Sequence, residues 1–200
     1  MSVAAPRPPD TIVGRLVPSD PATVVRPLAP ADEQFCRALF HEDRAARFAS
    51  LGASGHLLAT MLDQQFRAQQ TGYGRSFPHA EHLLIEHVGA AVGRLIVAVE
   101  RAALPMAATD ETLPEGSTSL ARAGDRTVHL VDIVLAAAAR GHGIGTDVIN
   151  SLLRAAAGMG ATRLTLAVLQ TNDGARRLYE RLGFVATTGG SHIVMVKSLP

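Results

Sequence analysis

Two hundred residues with 47% apolar side chains are enough for one domain with a substantial core and too few for two large ones. The formal net charge is +1 and the basic residues are spread along the chain, so the concentrated positive face of a nucleic-acid-binding protein is excluded. No apolar run approaches the roughly 20 residues that cross a bilayer, and the single cysteine, Cys36, permits no internal disulfide, so no membrane association and a reducing, cytoplasmic location are expected.

Of nineteen basic residues only Lys197 is lysine, and alanine abounds, as in a GC-rich bacterial genome. Residues 1–21 hold five prolines and no periodicity, with no basic start leading into an apolar run. They are expected to be a disordered tail without a secretory signal; residues 22–200 should form the domain. Thr23 to Arg26 is a short β-rich run closed by Pro27. A helix follows through "APADEQFCRALFHEDRAARFA", with Asp32 as a cap and Phe35, Leu39 and Phe48 on one side. Cys36 sits within this apolar pattern and suits a small core residue better than a nucleophile. Leu58, Met61, Leu62 and Phe66 mark a second helix, expected to stop at Gly72 and Gly74.

"HLLIEHV" and "VGRLIVAVE" read as a hairpin joined by Gly89-Ala90-Ala91. Residues 101–127 have no period and are expected to be a long loop. "TVHLVDIVL" is apolar enough to be a strand covered on both faces. From Ile144 the residues Val148, Ile149, Leu152, Ala155 and Ala156 share one arc of a helix that ends at Gly158 and Gly160. "TRLTLAVL" is a strand, "NDGARRLYERLGF" a helix capped by Asn172 and stopped by Gly183, and "FVAT" and "HIVMVKS" are two closing strands. The order is β-α-α-β-β-β-α-β-α-β-β, an α/β (α+β) class.

"RGHGIG" lies between the central strand and the third helix. A helix start carries unsatisfied N–H groups and the positive end of the dipole. Gly141, Gly143 and Gly145 remove the Cβ atoms that would hold an anion away and allow the left-handed backbone of a concave nest. Arg140 adds a forked cation suited to phosphate. A pyrophosphate cradle is the expectation. The Walker pattern fails for want of a lysine, and the dinucleotide fingerprint fails on spacing and on the missing acid.

The spelling R/Q-x-x-G-x-G/A is met by Arg140-Gly141-His142-Gly143-Ile144-Gly145. With "VDIVL" before it, the helix after it, "LTLAVL", and Asn172, Ala175, Tyr179 and Gly183-Phe184 in order, the chain resembles the GNAT superfamily of acetyl-CoA-dependent N-acetyltransferases over residues 127–187. The resemblance implies one GNAT-like domain: a mixed, mostly antiparallel sheet of about seven strands flanked by about four helices. It also implies that the strand before the turn and its neighbour splay apart. Ile133, Val134 and Leu135 would then pair with the pantetheine of acetyl-CoA. Residues Gly141, His142, Gly143, Ile144, Gly145 and Thr146 would hold its pyrophosphate beside Arg140, and Asn172 would contact the cofactor or serve only as a cap. Tyr179 would protonate the departing thiolate, or be an amphipathic tyrosine at the core margin.

Two positions depart from relatives: Ala136 to Ala139 replace a proline-containing turn, and His142 stands where arginine or lysine is common. An imidazole there offers less charge to the phosphates, and more on acidification.

Asp132 is the best-placed general base, because a carboxylate inside an apolar strand must be paired or useful. The alternative is a structural aspartate bonded to backbone or to an arginine. Strand alternation sends His129 to the face opposite Asp132, which argues against a dyad. The amine acceptor would lie against residues 31–80 and 185–197, where "HEDR" at 41–44 is either a ligand for a cationic amine or a charged turn. In "HAEHLLIEH" alternation puts His82 and Glu86 on one face and His87 on the other, so no metal is expected. The partners implied are acetyl-CoA and an amine, with a homodimer left open. The rival from another class is a non-catalytic acyl-CoA-binding module, which would need neither Tyr179 nor Asp132.

Overall fold

A computed structural model describes residues 11–49, 55–101, 125–188 and 191–200. Seven strands and four helices follow one another as β1 (Thr23–Pro27), α1 (Glu33–Ala49), α2 (Gly55–Ser76), β2 (Glu81–His87), β3 (Ala90–Arg101), β4 (Arg126–Leu135), α3 (Ile144–Gly158), β5 (Ala161–Leu169), α4 (Asp173–Arg181), β6 (Val185–Thr188) and β7 (His192–Ser198). The strands form one sheet in the order β1-β2-β3-β4-β5-β7-β6. Only β4 and β5 are parallel; every other pair is antiparallel. The mixed, mostly antiparallel sheet expected from the sequence is present, with β4 at the centre.

Alternation along the strands divides the core between two faces. Leu83, Ile85, Leu95, Val97, Leu164 and Leu166 join Val148, Ile149 and Leu152 of α3 on one side. Leu84 joins Cys36 and Phe40 of α1 and Leu62 and Phe66 of α2 on the other, where the rings of Phe40 and Phe66 meet edge to face at 5.4 Å. Each such fully buried Leu or Ile contributes roughly 1.5–3 kcal/mol. Cys36 is a core residue, and burial pushes its thiol up. At Gly93 a Cβ would lie 2.6 Å from the Val134 carbonyl oxygen, so glycine is what lets β3 and the end of β4 close on each other.

Several expectations are corrected. The disordered tail does not extend to Pro21. Residues 13–15 form a 3₁₀ turn, and Ile12 is fully buried in the core. The N–H groups of Ile12 and Val13 donate to the Glu81 carboxylate (2.6 and 3.0 Å), and those of Ser19 and Asp20 to Asp147 of α3 (2.9 and 3.0 Å). Residues 1–10 lie outside the described residues, as do 102–124 of the expected loop; Arg101, Arg126 and Thr127 belong to strands.

Asp32 does not cap α1 from its first position. It ends a 3₁₀ turn over Pro30–Asp32, accepts the Ala29 N–H at 2.8 Å and pairs with Arg26, which holds its carboxyl down at about 2. Helix α2 runs through Gly72 and Gly74 to Ser76, carrying Tyr73 and leading into Phe77, both at the wall of the central cavity. The hairpin turn is Val88-Gly89, since His87 pairs with Ala90, and both turn residues take positive φ (52° and 73°). The histidine-rich stretch is dispersed: Glu86 binds Arg26, and His87 meets Thr23 and Asp20. Among the described residues no three His, Cys, Asp or Glu side chains group as metal ligands. No helix of the described residues is long and apolar enough to cross a membrane.

Candidate active site

The ladder between β4 and β5 runs from Arg126↔Ala161 to Leu130↔Leu166 and then stops, although β4 continues to Leu135 and β5 to Leu169. Beyond Leu130 the strands separate. The β5-facing edge of β4 at Ile133, Val134 and Leu135 therefore has no ladder partner, while its other edge pairs with Leu95, Arg94 and Gly93. Unpaired main-chain groups beside a hollow are the kind that an extended ligand can satisfy. The hollow is a cavity of about 890 Å³, bounded by both strands and by Asn172, Ala175, Leu178 and Tyr179 at α4.

At one end of the cavity the chain turns from Leu135 through a 3₁₀ turn (Ala137–Ala139) into α3. Gly141 and Gly143 adopt φ of 80° and 83°, and a Cβ on either would meet nothing within 4 Å. Gly143 is the left-handed residue before the helix, with no side chain capping it. The first helical bond is Asp147 N–H to Gly143 O, so the N–H groups of Ile144, Gly145 and Thr146 precede it and the helix does not use them. His142 is exposed, while Ile144 is buried and anchors the turn in the core. Gly145 is close-packed: a Cβ there would touch Leu135 at 3.3 Å.

Arg140 does not stand free as a forked cation. Its Nε donates to the Leu135 carbonyl (2.8 Å) and its Nη2 to Asp43 of α1 (2.9 Å). It clamps the turn to β4 and α1, so the anion-binding capacity of the turn lies in main chain and dipole. Asp43 and Arg44 of "HEDR" thus have separate partners, the Arg44 guanidinium lying 4.3 Å over the Phe40 ring.

Asn172 caps α4, its Oδ1 accepting the Ala175 N–H at 3.2 Å, and it also lines the cavity. Tyr179 is 7% exposed, with its ring edge-on to Phe184 at 5.7 Å. Burial, with the Asp132 charge adding to it, pushes its phenol up to about 12, so it holds its proton at neutral pH and can donate it.

Asp132 faces the cavity but is not alone. Arg94 Nη2 approaches its carboxylate at 2.5 Å, and the Arg94 side chain is only 3% exposed. The carboxylate is committed to a buried guanidinium, the arginine partnership that the sequence left open as the alternative to a base. Arg94 also reaches Gln69 at 3.4 Å. Burial and the Asp132 charge push Tyr73 up to about 12 as well, with Arg94 and Arg44 opposing. Two protonated phenols therefore feel the same carboxylate.

Alternation alone misplaces His129. The β3–β4 register pairs His129 with Ala98 and Asp132 with Ile96, leaving Val131 as one extra residue in β4. This β-bulge restores His129 to the face of Asp132, and both line the cavity. Sequence reasoning also missed Thr165, whose Oγ1 lies 2.5 Å from His129 Nδ1, and Glu100, whose Oε2 lies 3.1 Å from Nε2. Arg94 was legible in principle: an arginine inside "GRLIVAVE" needs an acid, and the neighbouring strand offers Asp132.

The profile described as "Acetyltransferase (GNAT) family" matches residues 57–184. Comparison with curated proteins finds no match. Among solved structures, PaiA N-acetyltransferase from Thermoplasma acidophilum in complex with coenzyme A superposes with a TM-score of 0.59 at 14% identity, covering 88% of this chain and 98% of that one. An acetyltransferase from Thermus thermophilus gives 0.55 at 22%, covering 89% and 97%. Arabidopsis thaliana Naa50 in complex with the bisubstrate analogue CoA-Ac-MVNAL gives 0.52 at 16%, covering 89% and 99%. At these identities the structures attest the fold alone. The family profile, spanning well over half of the sequence and both strands of the gap, decides the affiliation: the chain belongs to the GNAT family of acetyltransferases.

Proposed function

We propose that the protein is an N-acetyltransferase that moves the acetyl group of acetyl-CoA to a primary amine of a small molecule or protein by direct attack. The observation that carries this is the ladder ending at Leu130↔Leu166 beside a glycine turn whose helix N–H groups are uncapped. The two features suit one ligand, an extended arm that ends in a pyrophosphate. Open space over Gly141 and Gly143 fits the close approach of phosphate to backbone. Acetyl-CoA would supply an activated thioester when bound.

In this reading the backbone of Ile133, Val134 and Leu135 aligns the arm. Residues Gly141 to Thr146 hold the phosphates, Arg140 keeps the turn in place, and Asn172 contacts the arm from the far wall. Tyr179 gives its proton to the departing sulfur, for which a phenol that ionises near 12 remains fully protonated. Asp132 keeps the buried Arg94 compensated and lends negative charge to the place where an ammonium arrives.

Calorimetric titration of acetyl-CoA, followed by thiol release over a pooled amine panel for the native chain and Tyr179→Phe, tests the proposal. Binding together with amine-stimulated release that Tyr179→Phe suppresses is the expected result. Binding with release that no amine accelerates would leave a non-catalytic acyl-CoA-binding module instead, and absence of binding would remove the cofactor assignment.

A further inference from the structure

The cavity holds a hydrogen-bonded series that neither the family assignment nor the roles above use. His129 of β4 lies between Glu100 of β3 and Thr165 of β5, with the Phe77 ring 5.9 Å from the imidazole. A carboxylate only accepts, so Nε2 carries the hydrogen directed at Glu100, and in the neutral ring Nδ1 is then the acceptor of the Thr165 hydroxyl. Thr165 stands one residue before the last rung of the β4–β5 ladder, next to the point where the strands part, and its side chain lines the cavity with His129 and Asp132. The series therefore runs from the mouth of the gap outward to Glu100, whose side chain is exposed. A proton leaving the cavity along it arrives at solvent.

We propose that His129, acting through the Thr165 hydroxyl, is the proton acceptor for the incoming ammonium; this rests on the transferase reading above. The ammonium gives one proton to Thr165 Oγ1 while Thr165 passes its own hydroxyl proton to His129 Nδ1, and Glu100 stabilises the imidazolium. The freed nitrogen lone pair forms the C–N bond and the C–S bond breaks. Tyr179 protonates the sulfur and recovers a proton from the new amide nitrogen. His129 then releases its proton to solvent, so the net products are amide, free thiol and one proton. The imidazole meets Glu100 from β3, Thr165 from β5 and Phe77 beyond α2, and Asp132 lies on the same face of β4. Asp132 is left as the partner of Arg94, which suits a group that must stay charged throughout.

The test is acetyl-CoA thiol release at pH 7 with two probes: butylamine, which arrives protonated, and hydroxylamine, which arrives neutral. Thr165→Val and His129→Gln should each lower the butylamine rate about 100-fold with acetyl-CoA affinity unchanged. The hydroxylamine rate should fall far less, and the double variant no further than either single one, because both act on one proton. Thr165→Ser, which keeps the hydroxyl, should recover most of the butylamine rate, and it separates the relay from a packing effect. Equal losses for both probes, or no loss for butylamine, would overturn the relay and leave the transferase standing. If the native chain accelerates neither probe, the transferase reading falls and the relay falls with it.

Discussion

The two ends of the cavity are built on different principles. The glycine turn works with main chain: two left-handed residues, an uncapped helix start and an arginine spent on holding the loop. The opposite wall works with side chains drawn from β3, β4, β5 and α2, each held by a partner on another element. A main-chain site can be damaged without disturbing the fold. A site of interlocked charges is coupled to the fold wherever a member is buried, as the Arg94 guanidinium is.

The sharpest way to break that contrast is Asp132→Ala. It leaves the Arg94 guanidinium buried without its carboxylate, and a loss of about 3–5 kcal/mol in denaturant unfolding is expected. Tyr179→Phe comes next: thiol release should fall about 100-fold, while the melting temperature stays near that of the native chain because the ring packing on Phe184 survives.

Gly143→Ala should cost only about 1–2 kcal/mol, the penalty for a left-handed alanine, and its chief effect should be weaker acetyl-CoA binding by calorimetry. Equal damage to stability from Gly143→Ala and Asp132→Ala would erase the distinction between the two ends. Gly72→Ala, in a helix interior with nothing within 4 Å of the added carbon, should stabilise by about 0.5–1 kcal/mol.

Alkaline titration sharpens the side-chain end further. Tyr73 and Tyr179 are the only two tyrosines of the chain, and both are pushed up to about 12. Unfolded phenols ionise near about 10. The stability tied to the protonated phenols is therefore complete below about pH 10 and is lost as pH rises toward 12. Phenolate absorbance in the folded protein should rise only near pH 12, and Tyr73→Phe should remove one of the two titrating groups.

What the sequence disclosed follows the same division. Helix α4 with its Asn172 cap and Gly183 stop, helix α3 closed at Gly160, and the glycine turn all rest on signals within a few residues of one another. The face that carries the chemistry rests on relations across the sheet. Strand alternation assigns His129 to the wrong side because a bulge has no spelling of its own; it exists only in the register between β3 and β4. The Arg140 clamp needs Asp43, 97 positions away, and the burial of Ile12 needs Glu81, 69 away. Proline and polarity in residues 11–21 mask a segment held by the distant carboxylates of Glu81 and Asp147. In α2 the two glycines signal an end, whereas the helix runs through both to Ser76 and so brings Tyr73, and Phe77 just beyond it, to the cavity wall.

The extra residue in β4 acts as a change of phase. On either side of Val131 the strand keeps the same period of two, but the halves are offset by one step, so residues three apart in the sequence share a face. Chemical content and strand periodicity are thereby uncoupled. A chain of this fold that lost or gained one residue at this point would exchange the residues presented to the cavity without any substitution, offering Val128 or Leu130 in place of His129. A single-residue insertion or deletion in the central strand would thus remove the imidazole from the cavity as completely as a point change does, while leaving His129 in the chain.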